Sequence, residues 1–131
     1  MGYSEKLSAR IDEVGSNLCV GIDPRSDLIG GDFEAFVRDL VDQTIPYAAC
    51  YKPNAAYFEA LGSKGYAIME KLIADVPENI PVILDAKRGD IGATQSYYAK
   101  AYFEFMEGVA AVTISPYMGF DSVEPMLNYP G

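Results

Sequence analysis

The chain of 131 residues has no histidine, no tryptophan and only two cysteines, Cys19 and Cys50. Without histidine there is no imidazole acid–base catalysis and no Ser/His or Cys/His nucleophile pair, and two thiols do not make a zinc site. Each cysteine lies inside an apolar, strand-like run, so both are expected to be small buried hydrophobes. Positive charge is also scarce: ten Lys and Arg stand against nineteen Asp and Glu, a net charge of -9. That balance argues against a nucleic-acid or anionic-membrane surface, and any anionic ligand must be held by a few local cations. No apolar run approaches the roughly 18 residues of a membrane span, and MGYSEKLSARIDEV at the N-terminus lacks a signal-peptide core. A cytoplasmic location is the expectation. Gly2 does not mark a myristoylation site, because that motif wants Ser or Thr where Lys6 stands.

What is present reads as one globular domain over 1–131, with half of the residues hydrophobic and 22% charged. Asn17 to Asp23 reads as a strand stopped by Pro24. Asp32 is placed to cap a helix whose Phe33, Phe36, Val37, Leu40, Val41 and Ile45 share one face. Ala48 to Lys52 is a second strand, followed by one turn carrying Tyr57, Phe58 and Leu61, and then by a helix with Tyr66, Met69, Leu72 and Ile73. Val82, Ile83 and Leu84 begin a third strand. The helix expected over 92–107 carries Tyr98, Ala101, Tyr102, Phe105 and Met106 as its buried stripe. Val109 to Ile114 is a fourth strand, and Asp121 with Glu124 has the spacing of a capping box.

Strand starts near 18, 49, 81 and 110 are spaced by 31, 32 and 29 residues, the period of a βα unit with parallel strands. Strands as uniformly apolar as VIL and VAAVTI imply a sheet covered on both faces. An open doubly wound sheet would carry a glycine-rich phosphate loop after its first strand, and GIDPRSD has none. In a (β/α)8 TIM barrel the working groups stand at the carboxyl ends of several strands, and Asp23, Lys52, Asp85 with Lys87, and Ser115 do so. The α/β class with a TIM barrel is therefore expected. Such a barrel takes about 250 residues, so the first four βα units, an N-terminal half, are expected here.

The densest chemistry is PVILDAKRGDIGAT, where a buried strand runs into Asp85, Lys87, Arg88 and Asp90. Alternation places Asp85 and Lys87 on one side and Arg88 on the other, where a surface salt bridge is its expected role. Asp90 can cap the next helix, with Thr94 in its first turn. Together with Lys52, the alternating signs would keep every member ionised and present fixed charges. Fixed charges suit a reaction that moves negative charge between substrate atoms, such as decarboxylation, with an ammonium protonating the carbanion left behind.

GIDP at 21–24, YKPN at 51–54, DAKRGDIGAT at 85–94 and SPYMGFDSVEP at 115–125 together resemble the orotidine 5'-phosphate decarboxylases, in the bacterial form with the DAKRGDIG signature. The likeness runs along the whole chain and matches only the N-terminal half of that family. It implies a homodimeric barrel without metal or organic cofactor that converts orotidine 5'-monophosphate to UMP and carbon dioxide in pyrimidine synthesis. Carried over by position, it makes Lys87 the proton donor to C6 and sets Asp85 beside the substrate carboxylate. Lys52 and Asp23 would contact the ribose, with Asn54 and Ser115 also binding substrate. Asp90, Ile91 and Thr94 would reach into the partner's site. Ser115 departs from the Asn that many members place before Pro-Tyr, and the phosphate-binding residues belong to the other half. Two alternatives stay open: a magnesium-dependent sugar-phosphate decarboxylase or aldolase of the same superfamily, and a non-catalytic half-barrel.

Overall fold

The computed structural model describes residues 2–129. Met1, Pro130 and Gly131, which the expected N-terminal helix and the chain end include, lie outside the described residues. The apolar runs form β1 (Leu18–Ile22), β2 (Ala48–Pro53), β3 (Val82–Arg88) and β4 (Val109–Ile114), all parallel and hydrogen-bonded in the order β1-β2-β3-β4. A doubly wound sheet reverses its strand order at a switch point, whereas here each strand adds beside the last, as in a barrel wall.

Helices cover one face of this wall. Outward-facing Val20, Ile22, Tyr51, Val82 and Leu84 pack with Val37 and Val41 of α2 (Phe33–Thr44), Phe58 of α3 (Ala55–Glu59) and Met69, Leu72 and Ile73 of α4 (Gly62–Asp75). Asp32 caps α2 as expected, its Oδ1 accepting from the Glu34 and Ala35 amides at 2.9 and 3.3 Å. The Tyr51 hydroxyl donates to the Val41 carbonyl at 3.0 Å, which ties β2 to α2. Buried Arg10 fastens α1 (Tyr3–Val14) to the start of β2, donating to the carbonyls of Ile45 at 2.6 Å and Ala48 at 3.1 Å. Gly65 lets α4 cross close to α3: a Cβ there would stand 1.9 Å from the Phe58 carbonyl oxygen.

The structure departs from the sequence expectations at several points. The helix expected over 92–107 is α5 (Gly92–Lys100) followed by a π-helical turn, Ala101–Phe105. Of the expected stripe, Tyr102 and Met106 are buried and Tyr98 and Ala101 pack against the core, with Gln95 and Ala99 also buried, but Phe105 is exposed. The capping box at Asp121 does not form. Phe120–Ser122 is a 3-10 turn, and α6 (Glu124–Leu127) begins after Val123 with no side-chain cap, since Pro125 in its first turn restricts the backbone. Cys50 is buried but Cys19 is exposed, because β1 is the edge strand of the sheet formed by the described residues. For the same reason every residue of β4, the other edge, is only half-buried. Among the described residues no helix is long and apolar enough to cross a membrane.

Candidate active site

Alternation along the strands turns Gly21, Cys19, Cys50, Lys52, Ile83 and Asp85 away from the helices, onto the inner face of the wall. Asp85 is the centre of this face, with a side chain only 7% exposed. Its Oδ2 accepts from Lys52 Nζ at 2.6 Å. Its Oδ1 accepts from Lys87 Nζ at 2.7 Å and from Thr113 Oγ1 at 2.8 Å. The Thr113 hydroxyl in turn accepts from the Lys87 amide at 3.0 Å, so side chains of three strands converge on one carboxylate.

Burial raises the Asp85 pKa, but the hydrogen bonds from Lys52, Lys87 and Thr113 outweigh it and hold the carboxyl far below its ordinary range. The bond to Asp85 raises Lys52 above the usual lysine range, against the lowering effect of burial, and Asp23 adds to the rise. The two lysines differ in access, the Lys52 side chain being 33% exposed and that of Lys87 67%. Lys87 also has φ of +50°, the left-handed region that costs a non-glycine residue of order 1 kcal/mol. The β3–β4 register shifts between Leu84 and Arg88, where this conformation falls. The strand is bent at the residue whose ammonium meets Asp85.

Arg88 points to the other face, as its parity requires. It pairs with Glu59, donates to the Tyr102 hydroxyl at 2.8 Å and lies 5.3 Å over the Tyr98 ring. The π-helical turn that carries Tyr102 therefore anchors the residue next to the strained lysine. Gly89 allows the β4 end to approach, since a Cβ there would fall 2.7 Å from the Ser115 carbonyl oxygen, and the Ser115 amide donates to the Arg88 carbonyl at 2.7 Å.

The structure joins only part of the expected set. Lys52, Asp85 and Lys87 form one network, and exposed Asp23 stands near it at the end of β1. Asn54 bridges to Asp85 through the backbone, while its Oδ1 accepts from the Ala56 amide and caps α3. Asp90 is not the cap of α5; that position is Ile91, and the Asp90 carboxylate accepts from the Ile91 amide at 2.8 Å. No hydrogen bond among the described residues links Asp90, Ile91 or Thr94 to Asp85, and Ile91 is 56% exposed. Thr113 carries no motif. Its signal in the sequence was position alone, a hydroxyl two residues before Ser115 and so on the same face of β4. A cleft of about 820 Å³ between the β1–α2 loop and α2 is lined by Asp23 but by neither Lys52, Asp85 nor Lys87. Elsewhere, Gln95 is fully buried with neither amide atom bonded among the described residues.

Sequential parallel βα units with charge at the strand ends define part of the wall of a (β/α)8 barrel. A profile of the "Orotidine 5'-phosphate decarboxylase / HUMPS family" matches residues 16–130, and the chain belongs to that family. It is 41% identical over 133 residues to the orotidine 5'-phosphate decarboxylase of Herpetosiphon aurantiacus, covering 96% of this chain and 49% of that protein. The namesake from Phocaeicola vulgatus is 42% identical over 137 residues, covering 97% and 50%. The structure of Leishmania donovani OMP decarboxylase superposes with a TM-score of 0.87 at 43% identity, covering 98% of this chain and 50% of that one. The chain thus spans about half the length of the curated relatives it matches.

Proposed function

We propose that this chain provides the decarboxylating wall of an orotidine 5'-monophosphate decarboxylase, a cytoplasmic enzyme of UMP synthesis. The observation that carries the reading is Asp85, ionised and held between the ammonium groups of Lys52 and Lys87. The C6 carboxylate of the substrate would lie beside Asp85. As the C6–carboxyl bond breaks, carbon dioxide leaves and the electron pair stays on C6. Lys87 then gives one ammonium proton to C6, yielding UMP, and recovers a proton from water. Lys52 would orient the ribose with Asp23, Asn54 and Ser115 nearby. Because the charges are set before substrate arrives, little reorganisation is needed at the reacting carbon. Burial of Asp85 supports this reading over a solvated salt bridge.

The magnesium-dependent alternative fits the residues less well, since both Asp85 oxygens already accept from ammonium groups and a lysine stands at the second strand end. The homodimer, with Asp90, Ile91 and Thr94 completing the partner's site, belongs to the same proposal. It is supported by the exposure of Ile91 and by the Asp90 carboxylate, which among the described residues accepts from the Ile91 amide rather than joining the Lys52–Asp85–Lys87 network. To test the function, the chain is co-expressed with the C-terminal half of the Herpetosiphon aurantiacus relative and loss of orotidine absorbance is followed. Turnover is expected, and Lys87→Ala should lower it by at least about 10³-fold with the far-UV dichroism unchanged. Turnover that survives Lys87→Ala rules out the proton-donor role.

A further inference from the structure

Lys87 keeps a left-handed backbone although it is not glycine, and such a conformation persists only where its surroundings over-determine it. The strand ladder does little of this. Among the described residues, β2 pairs with β3 at Tyr51 and Val82 and then through the isolated bridge of Asn54 to Asp85, and the β3–β4 register shifts between Leu84 and Arg88. The residue that follows Lys87 is instead fixed by its side chain. On the outer face the Arg88 guanidinium pairs with the Glu59 carboxylate at the end of α3, donates through Nε to the Tyr102 hydroxyl at 2.8 Å and lies over the Tyr98 ring. Tyr102 is itself buried, and no residue of either edge strand takes part in these contacts.

We infer that Tyr102 and Glu59 are positioning residues: through Arg88 they hold the left-handed turn at Lys87 and so keep its ammonium on Asp85. The inference rests on the proton-donor role proposed above for Lys87. The same backbone turn sets the Lys87 amide on the Thr113 hydroxyl at 3.0 Å and the ammonium on Asp85 at 2.7 Å, so its release uncouples both. Arginine suits the task because its rigid fork reaches two partners in fixed directions at once, Tyr102 from Nε and Glu59 from Nη2. The charges that meet the substrate thus lie on the inner face, and the groups that fix their geometry lie on the helix side of the sheet.

The test uses the chain, isotopically labelled, co-expressed with the C-terminal half of the Herpetosiphon aurantiacus relative. A positive φ brings a residue's amide and α protons together, so Lys87 should show a strong Overhauser effect between its own two protons. Tyr102→Phe keeps the ring and removes only the hydroxyl. In that variant the effect should weaken, and turnover of orotidine 5'-monophosphate should fall about tenfold in kcat with KM unchanged. Glu59→Gln, on another element, should change both in the same direction, and it carries the test where Tyr102→Phe does not fold. Tyr129→Phe removes a hydroxyl bonded to Glu104 on the same π-helical turn and should change neither. The inference is overturned if Tyr102→Phe keeps the Overhauser effect or the full kcat, or if Tyr129→Phe lowers both as much, the mark of a general loosening of the turn. Where the wild-type complex itself does not turn over, the decarboxylase reading fails, and the Overhauser comparison alone decides whether Tyr102 holds Lys87.

Discussion

Asp85 carries the heaviest electrostatic demand in the molecule. A buried carboxylate is costly unless charged hydrogen-bond donors replace the lost water, and here two ammoniums and a hydroxyl do so. Its folded-state pKa lies below the unfolded one, so the stability it contributes is present above about pH 4 and fades as the pH falls through the folded value. Asp85→Asn should therefore cost about 1–3 kcal/mol at pH 7, where two cations lose their carboxylate, and progressively less towards pH 2. Urea unfolding across that range checks it, and a pH-independent difference would contradict the linkage. At this scale the sequence was informative about identity and blind to geometry. The spacing of Asp85 and Lys87 fixed their shared face, but no pattern announced the left-handed backbone of Lys87 or the hydroxyl of Thr113 between them.

The elements show where periodicity suffices and where it does not. Apolar spacing located α2 and α4, and Asp32 capped α2 as its residue type implies. The spacing did not locate the π-helical turn, because one extra residue per turn leaves composition unchanged; Phe105, expected on the buried stripe with Tyr102 and Met106, is the member left exposed. That turn presents Tyr102 to Arg88, so the irregular piece supports the β3 end that bears Lys87. The α3–α4 crossing rests on a different detail, the missing side chain of Gly65. Gly65→Ala sets a methyl group against the Phe58 carbonyl, which backbone cannot easily yield, and should destabilise the chain by about 3 kcal/mol. A drop in the denaturant midpoint without a change in slope would confirm it.

For the molecule as a whole, the arrangement of strands raises the question of what meets the inner wall. Both edge strands are incompletely covered, β1 at Leu18 and Cys19 and β4 along its length, and unpaired strand edges invite further pairing. The wall also holds Asp90, Ile91 and Thr94 apart from the network they are proposed to serve in a second subunit. In dimers of the co-expressed halves, mixing Lys87→Ala with Asp90→Ala subunits should restore about a quarter of wild-type turnover, since only heterodimers rebuild one intact site. A mixture as inactive as its parents would place Asp90 in its own subunit's site.

The sequence by itself determined the parallel βα repeat, the order of its units and the charged residues at the strand ends, because all of these depend on local spacing and on the fixed parity of a strand. Tertiary structure alone decided which of those charges meet. It joined Lys52 to Asp85 across 33 positions of chain, set Thr113 between Asp85 and Lys87, left Asp90 outside, and put Cys19 beside Cys50. The physical reason is that hydrogen bonds and desolvation depend on distances between strands. Those distances follow from sheet register and helix packing, to which residues far apart in the chain contribute together.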